Sequence, residues 1–258
     1  MQRQNIDSGN AFDWGKTSQD YGKFRDIYPP LFYQKIVERN CGTAGQEVLD
    51  IGTGTGVLPP KYVPVRGTLD RQRYCSKSDR RGKTAFDGYG NLLVSPAEEL
   101  DFAEKQFDCI TACQCYWYFD NQKASPVFAR LLKPHGKLFL LCMEWLPYSD
   151  KIAEASEKLV LQYNPKWSGS GETKHPISVA SELLEYFDLT YHEEYELDVP
   201  FTRTSWNGRM KACRGIGASL SPEEIAAWEK EHLQLLERIA PEAFSVRHYA
   251  AIAELRKK

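Results

Sequence analysis

The residues best suited to chemistry stand together in the segment 47–56. A short apolar strand-like run ends in Asp50 and is followed by three glycines at alternate positions, Gly52, Gly54 and Gly56. Glycine lets a backbone turn sharply and approach a ligand, and a helix that begins after such a loop offers free N–H groups. The segment therefore predicts a buried strand that leads into a nucleotide-binding loop.

The glycine spacing argues against a nicotinamide cofactor. A dinucleotide fingerprint reads GxGxxG, whereas this loop reads GxGxG with Asp50 two residues before its first glycine. A nicotinamide-dependent oxidoreductase is therefore the least favoured of the functions considered.

The elements around this loop indicate an α/β fold. Apolar runs alternate with helical segments, which is typical of a parallel sheet with crossover helices, and ligands bind such sheets at the carboxyl ends of the strands. A helix with Pro30 near its start precedes the first strand. Ser221-Pro222-Glu223-Glu224 is a capping box that predicts a later helix through Ile239.

Composition fits one globular domain and suggests no polymeric partner. The 258 residues are 42% hydrophobic and 26% charged, which is ordinary for a soluble chain that buries a core. The net charge of −2 gives no electrostatic reason to expect nucleic acid or an anionic membrane. The N-terminal residues lack the apolar region of a signal peptide, and no run approaches a membrane span, so we expect a cytoplasmic protein.

The cysteines do not predict a metal site. Seven are scattered along the chain without a CxxC pair, and Cys113-Gln114-Cys115 alone supplies too few ligands for zinc. Cys113 and Cys115 also suggest a nucleophile, but the sequence identifies no paired histidine, and packing near a ligand is the favoured interpretation. We therefore expect free thiols and no metal.

Four segments in order resemble a known family. Residues 47–56 look like motif I of the class I S-adenosylmethionine-dependent methyltransferases, in the small-molecule, ubiquinone-biosynthesis-like group (methyltransferase type 11). Residues 95–102 resemble the loop after strand three that meets the adenine, and 107–120 resemble strand four with its active-site end. Residues 131–140 resemble the helix, turn and strand five, with His135 where the family usually has glycine.

The resemblance implies a fold and a domain organisation. The expected fold is doubly wound and Rossmann-like, a mostly parallel seven-stranded sheet with an antiparallel last strand near 246–255 and a helical lid. We expect residues 1–258 to form a single domain, with an N-terminal helical cap at 12–40 and a lid insertion at about 145–188. A lid that excludes water suits methyl transfer, although a plain surface excursion stays open as an alternative.

The resemblance also implies a function, methyl transfer to an unidentified small molecule. S-adenosylmethionine is the implied cofactor and S-adenosylhomocysteine the product, with a small-molecule methyl acceptor as partner. The implied cofactor-binding residues lie after strands one, three and four, and two more fold over the ligand from the cap: Asp50, Gly52, Thr53, Gly54, Gly56, Ala97, Glu98, Cys113 and Gln114, then Tyr21 and Arg25.

An acceptor pocket and a catalytic base are harder to assign. Six residues are candidates for an aromatic acceptor pocket, with core packing as an equal alternative: Tyr116, Trp117, Tyr118, Trp145, Trp206 and Arg209. Methyl transfer needs a base only when the acceptor must lose a proton, so no catalytic residue is predicted. His175, His192 and His248 qualify by type alone, and a surface or packing role is favoured for each.

The stretch 61–90 does not match its surroundings. It has no apolar run for strand two, and residues 61–83 carry eight Lys or Arg against two Asp. We therefore expect strand two and its ribose-binding acid to be absent, with Asp70 and Asp79 as poor substitutes. The alternative function is accordingly a catalytically impaired or non-enzymatic protein with an S-adenosylmethionine-binding fold. A basic insertion that contacts nucleic acid is weakly indicated.

A shifted reading frame offers another explanation of this stretch. Codon degeneracy permits a translation shifted by one nucleotide that includes Trp-Thr-Gly-Ser-Asp-Ile-Ala-Pro, which has the character of a short strand ending in an acid. The Asp would come from the codon that spans Arg73 and Tyr74. The hypothesis is that two compensating single-base changes flank the stretch.

Overall fold

The computed structural model of the protein describes residues 6–13, 16, 22–24, 27–53, 69–72, 92–93 and 95–258; for residues 69–72 and 92 it describes the backbone alone. Four predicted site residues lie outside the described residues: Tyr21, Arg25, Gly54 and Gly56.

Six helices and seven strands follow in chain order: α1 (Pro30–Glu38), β1 (Val48–Ile51), β2 (Leu69–Gln72), β3 (Leu92–Leu93), β4 (Phe107–Cys113), α2 (Asn121–Leu131), β5 (Leu132–Trp145), α3 (Lys151–Tyr163), α4 (Ser181–Leu184), β6 (Phe187–Thr202), α5 (Arg203–Lys211), α6 (Pro222–Ile239) and β7 (Ala243–Lys257). Three short 3₁₀ helices cover Asp7–Gly9, Ala97–Glu99 and Tyr116–Tyr118. These counts cover the elements for which both ends are described; residues 22–24 are also helical.

The strands form one sheet in the order β3-β2-β1-β4-β5-β7-β6. The pairs β2/β3, β1/β2, β1/β4 and β4/β5 are all parallel. All four residues of β1 are buried, as expected for a central strand covered on both faces. The predicted α/β class with a mostly parallel sheet is therefore confirmed.

The last strand runs against its neighbours. Near the start of β5 the Lys257 Nζ donates to the Leu132 carbonyl, whereas beyond the end of β5 the Leu146 N–H donates to the Arg247 carbonyl. The end of β7 thus lies beside the start of β5, which is the antiparallel arrangement that the family resemblance implies.

The expectation that strand two is absent was wrong. The backbone of Leu69–Gln72 pairs in parallel with β1, with Leu49 opposite Asp70 and Ile51 opposite Gln72. Parallel pairing depends on backbone N–H and C=O groups, which this polar Leu-Asp-Arg-Gln segment also has, so an apolar run is not required. The strand ends at Gln72, so Asp70 precedes its end by two residues.

The chain divides into two compact units, and the ranges of β5, β6 and β7 fall partly in each. One unit comprises residues 28–143, 175–195 and 250–258. In this sheet unit, α2 packs against the 97–99 turn and against α4. Its core contains apolar side chains from the central strands and from α2, among them Leu49, Ile110, Phe128 and Leu140.

The other unit comprises residues 1–27, 144–174 and 196–249. In this helical unit, α6 packs against both α3 and α5. The predicted capping box is confirmed, because Ser221 and Glu224 cap each other's backbone N–H groups at the start of α6. Asp150 caps α3 by accepting from the N–H groups of Ile152 and Ala153.

Within the described ranges, no helix has both the length and the apolar character needed to cross a membrane.

Candidate functional site

The carboxyl end of β1 holds a buried acid. Asp50 is 1% exposed, and the register places it opposite Thr111 of β4. The Thr111 hydroxyl donates to Asp50 Oδ1 over 2.6 Å. A buried carboxylate is costly unless hydrogen bonds hold it, so this bond fixes the acid where β1 ends.

The residue after β1 must be glycine for two reasons. Gly52 has a φ of +67°, a left-handed conformation that side chains rarely adopt. A Cβ atom there would also lie 2.8 Å from both Cβ and Sγ of Cys115. The first turn of the loop therefore brings backbone, with no side chain, against the end of β4, as a loop that cradles a ligand requires.

Thr53 continues this cradle. Its hydroxyl is buried and has no hydrogen-bond partner in the part of the chain that the structure describes. A buried hydroxyl without a partner is uncommon in proteins. Together with Asp50 and Gly52, it fits a loop that holds a polar ligand such as a nucleoside cofactor.

Cys113 and Cys115 flank the turn after β4. The Cys115 thiol donates to the Ile51 carbonyl over 3.3 Å, and Cys113 Sγ lies 3.5 Å from the Tyr28 hydroxyl. Burial and, next, the charge of Asp50 raise the pKa of Cys115 well above its ordinary value. Cys115 is therefore a neutral packing thiol, which argues against a nucleophilic role.

Gln114, between these cysteines, has a φ of 58° and stands at the first position beyond β4. Its N–H donates to the Leu141 carbonyl over 2.9 Å, and its side-chain Nε2 donates to the Met143 carbonyl. Both bonds tie the residue to β5, so its position at this edge of the sheet is well defined.

The predicted adenine-side residues lie on the turn at 97–99. Ala97 is buried, and Glu98 is half-buried. The Glu98 Oε1 accepts from the Asp120 N–H over 2.8 Å, at the residue that precedes α2. One carboxylate oxygen of Glu98 thus braces the loop that follows β4.

The three aromatics after β4 differ in exposure. Tyr116 is 6% exposed, and its hydroxyl accepts from the Ala180 N–H over 2.7 Å, so it belongs to the core of the sheet unit. Burial raises its pKa. Trp117 is 42% exposed and Tyr118 is half-buried, with their ring centroids 6.1 Å apart. Trp117 and Tyr118 are therefore the accessible members of this group.

The other three residues predicted for the acceptor pocket cluster within the helical unit. The Arg209 guanidinium lies over the Trp145 ring at 4.7 Å, and the rings of Trp145 and Trp206 meet edge-on at 5.7 Å. Trp145 is 4% exposed, Trp206 0% and Arg209 1%. The structure thus brings these three together, but as buried side chains.

A buried polar network supports Trp206. Its indole Nε1 donates to Ser156 Oγ over 2.9 Å, and Ser156 Oγ lies 3.0 Å from Nε2 of His232. The His232 Nδ1 is 2.8 Å from Asn207 Oδ1. Ser156 and His232 are fully buried, and burial lowers the His232 pKa to about 3. The Ser-His-Asn geometry is enclosed, so it serves structure.

The histidines named from the sequence occupy surface or core positions. His175 and His192 are exposed. His248 is fully buried, its Nδ1 donates to the Val246 carbonyl, and burial lowers its pKa to about 3. Among the described residues no group of three or more His, Cys, Asp or Glu side chains could hold a metal ion.

Sequence reasoning missed one residue that shapes this edge, Thr111. Thr111 is the one hydroxyl in the Phe-Asp-Cys-Ile-Thr-Ala-Cys strand, and a lone polar residue in a buried parallel strand is a usable signal.

Known proteins resemble this chain over part of its length. The family profile described as "Methyltransferase domain" matches residues 49–140. The ubiquinone/menaquinone biosynthesis C-methyltransferase of Vibrio cholerae is 31% identical over 143 residues, which cover 52% of this chain and 53% of that protein. A methyltransferase of Schizosaccharomyces pombe is 24% identical over 158 residues, covering 54% and 57%. The chain spans about half the length of the curated relatives it matches.

Solved structures share the fold. The phosphoethanolamine N-methyltransferase 2 of Haemonchus contortus, solved with phosphomonomethylethanolamine and S-adenosylhomocysteine, superposes with a TM-score of 0.51 at 17% identity, covering 97% of this chain and 57% of that one. The [4+2]-cyclase SpnF has a TM-score of 0.52 at 15% identity, with 99% of both chains covered.

Proposed function

We propose that residues 49–140, a class I methyltransferase domain whose cofactor is S-adenosylmethionine, give this chain methyl-transfer activity toward a small-molecule acceptor. The observation that supports the proposal most is the loop start at Gly52. Gly52 has a left-handed backbone and lies so close to Cys115 that no side chain fits there. It is two residues from the buried Asp50. Such a loop suits close backbone contact with a cofactor.

The residues of this edge divide into roles. Asp50, Gly52 and Thr53 hold the cofactor after β1, and Ala97 and Glu98 hold its adenine side. The other proposed cofactor residues include Cys113, Gly54, Gly56, Tyr21 and Arg25. When bound, S-adenosylmethionine supplies an electrophilic methyl group on a sulfonium, and S-adenosylhomocysteine is the product. The chain's own groups bind, orient and exclude water.

Finer features expected from the resemblance belong to the same proposal. They are a complete doubly wound, seven-stranded sheet, a cap at 12–40, a lid at about 145–188 and a cytoplasmic location. The strand order supports the sheet. The relative in Vibrio is named a C-methyltransferase and the Haemonchus protein an N-methyltransferase, so the two names do not agree on an accepting atom.

A competing function loses part of its support. The non-enzymatic alternative rested on a missing second strand and a missing ribose-binding acid; β2 is present, and its last residue is Gln72. The fold alone does not decide between reactions, since SpnF, which shares it, is named a cyclase.

A labelled-methyl assay tests the proposal. The wild-type chain is incubated with methyl-tritiated S-adenosylmethionine and a panel of small phenols, amines, thiols and carboxylic acids. The tritium transferred to each compound and the S-adenosylhomocysteine formed are both quantified. We expect transfer to at least one compound class in the wild type and none in Gly52→Ala. The matched control Gly45→Ala, also at a positive φ but with open space around it, should retain transfer. Binding of S-adenosylhomocysteine without any transfer would favour a non-enzymatic binding protein.

A further inference from the structure

Gln114 is held in a backbone conformation that a residue with a side chain rarely adopts. Its φ of 58° is left-handed, and the N–H bond to the Leu141 carbonyl keeps it at the carboxyl end of β4. Unfavourable backbone conformations persist where the surrounding structure enforces them, and they concentrate at functional sites. This turn fixes the direction in which the Gln114 side chain leaves the sheet.

The orientation of the Gln114 side-chain amide is also determined. Its terminal group faces the Met143 carbonyl, and a carbonyl oxygen can only accept a hydrogen bond. The nitrogen Nε2 must therefore be the atom that faces Met143, and Oε1 is directed away from it.

The Oε1 atom is a buried acceptor with no partner. No donor in the described ranges makes a hydrogen bond to it, and it is shielded from solvent. Buried polar side-chain atoms normally have at least one partner, so an exception needs an explanation. Two unfavourable features, the left-handed backbone and the unsatisfied oxygen, thus coincide at one residue.

The neighbours of Gln114 connect it to the proposed cofactor edge. Cys115, the next residue, bonds to the Ile51 carbonyl and closes the space above Gly52. Cys113, the residue before it, contacts the Tyr28 hydroxyl. Gln114 therefore lies one residue from each of these contacts, at the carboxyl end of β4, and ligands bind parallel sheets at the carboxyl ends of their strands.

We propose that Oε1 of Gln114 accepts a hydrogen bond from the methyl acceptor, and that the acceptor carries an O–H or N–H group at or beside the atom that is methylated. Phenols, alcohols and amines belong to this class. The inference rests on the proposed function and changes the role of Gln114 from cofactor binding to acceptor recognition. An amide takes up no proton near neutral pH, so Gln114 determines specificity and is not a base.

Paired probes with and without a donor test this inference. Phenol is compared with anisole, and aniline with N,N-dimethylaniline, by ligand-observed NMR titration of the protein saturated with S-adenosylhomocysteine. The affinity for S-adenosylhomocysteine is measured separately by calorimetry. In the wild type we expect the donor member of at least one pair to bind about tenfold more tightly, because a site built around a hydrogen bond rejects the analogue that lacks it.

Two variants remove the acceptor atom. Gln114→Met keeps the length of the side chain, and Gln114→Gly removes the side chain while accommodating the φ of 58°, so it should fold even if the first does not. Both should reduce the pairwise preference to about twofold or less and leave the S-adenosylhomocysteine affinity within about twofold of wild type. The surface variant Gln34→Met, at an exposed position of α1, should change neither quantity.

Specific outcomes overturn the inference. It is wrong if neither pair is discriminated by the wild type, or if the preference survives in both variants. A tenfold loss of S-adenosylhomocysteine affinity in Gln114→Gly with the preference intact would assign the residue to the cofactor instead. Failure of the wild type to bind S-adenosylhomocysteine at all would be a failure of the proposed function, and it is distinguished by the calorimetry.

Discussion

Replacing Gly52 by alanine should damage both the fold and the proposed cofactor site. A left-handed conformation costs a residue with a Cβ about 1–2 kcal/mol. The new Cβ would also lie 2.8 Å from Cβ and Sγ of Cys115, so Cys115 must move and its bond to the Ile51 carbonyl, worth about 1 kcal/mol, is lost. We therefore expect a loss of about 2–3 kcal/mol in the free energy of unfolding and at least a tenfold loss of S-adenosylhomocysteine affinity.

Matched variants separate the two causes. Gly45→Ala has a φ of +86° with nothing within 4 Å of the new Cβ, so it should show only the conformational cost of about 1–2 kcal/mol and normal cofactor affinity. Adding Cys115→Gly to Gly52→Ala removes both clashing atoms and should restore part of the affinity. Urea unfolding and calorimetry measure these effects. Equal behaviour of Gly52→Ala and Gly45→Ala in both assays would refute the steric argument.

Three further predictions concern pH, capping and the coding DNA. Burial lowers the pKa of His232 and of His248 to about 3, so the unfolded chain binds protons below about pH 6.5 while the folded chain does not. As the pH falls from about 6.5 to 3, each histidine should therefore lower the free energy of unfolding by about 1.4 kcal/mol per pH unit. Urea unfolding at several pH values should show that this free energy depends less steeply on pH in His248→Phe than in the wild type. An unchanged slope would contradict the prediction. Ser221→Ala removes the hydroxyl that accepts from the Glu224 N–H at the start of α6. It should lower the free energy of unfolding, measured in urea, by about 0.5–2 kcal/mol and leave the S-adenosylhomocysteine affinity unchanged. A loss of affinity would argue against a purely structural cap. Sequencing the coding DNA should reveal two compensating single-base changes that flank residues 61–90, and an uninterrupted frame without them ends the hypothesis.

Local signals predicted several elements well. The capping box Ser221-Pro222-Glu223-Glu224 specified where α6 begins, because side-chain caps depend on neighbouring residues alone. The apolar run before Asp50 predicted β1 for a similar reason, since a strand buried on both faces needs continuous apolar character.

Elements without such a pattern were missed. The polar β2 is held by backbone pairing with its neighbours, which leaves no trace in hydrophobic periodicity. Helix α5 was not predicted either, although Thr202 and Ser205 form a capping box at its start. That box uses Ser in place of the usual Glu or Gln, so the sequence signal was weaker.

The sequence indicated which residues belong to the candidate site, but not how they are arranged in space. Motif spacing pointed to Asp50, Gly52 and Gln114, and all three stand where β1 or β4 ends. The bond from Thr111 to Asp50 and the direction of Gln114 Oε1 depend on strand register and on one backbone angle. Neither quantity is encoded in a local pattern, so the structure was needed for both.

Calorimetric titration with S-adenosylhomocysteine and with NAD⁺ tests the central claim most directly. The account predicts that the wild-type chain binds S-adenosylhomocysteine at one site, that Gly52→Ala weakens this binding at least tenfold, and that NAD⁺ gives no binding heat. Binding of NAD⁺ without binding of S-adenosylhomocysteine would contradict it.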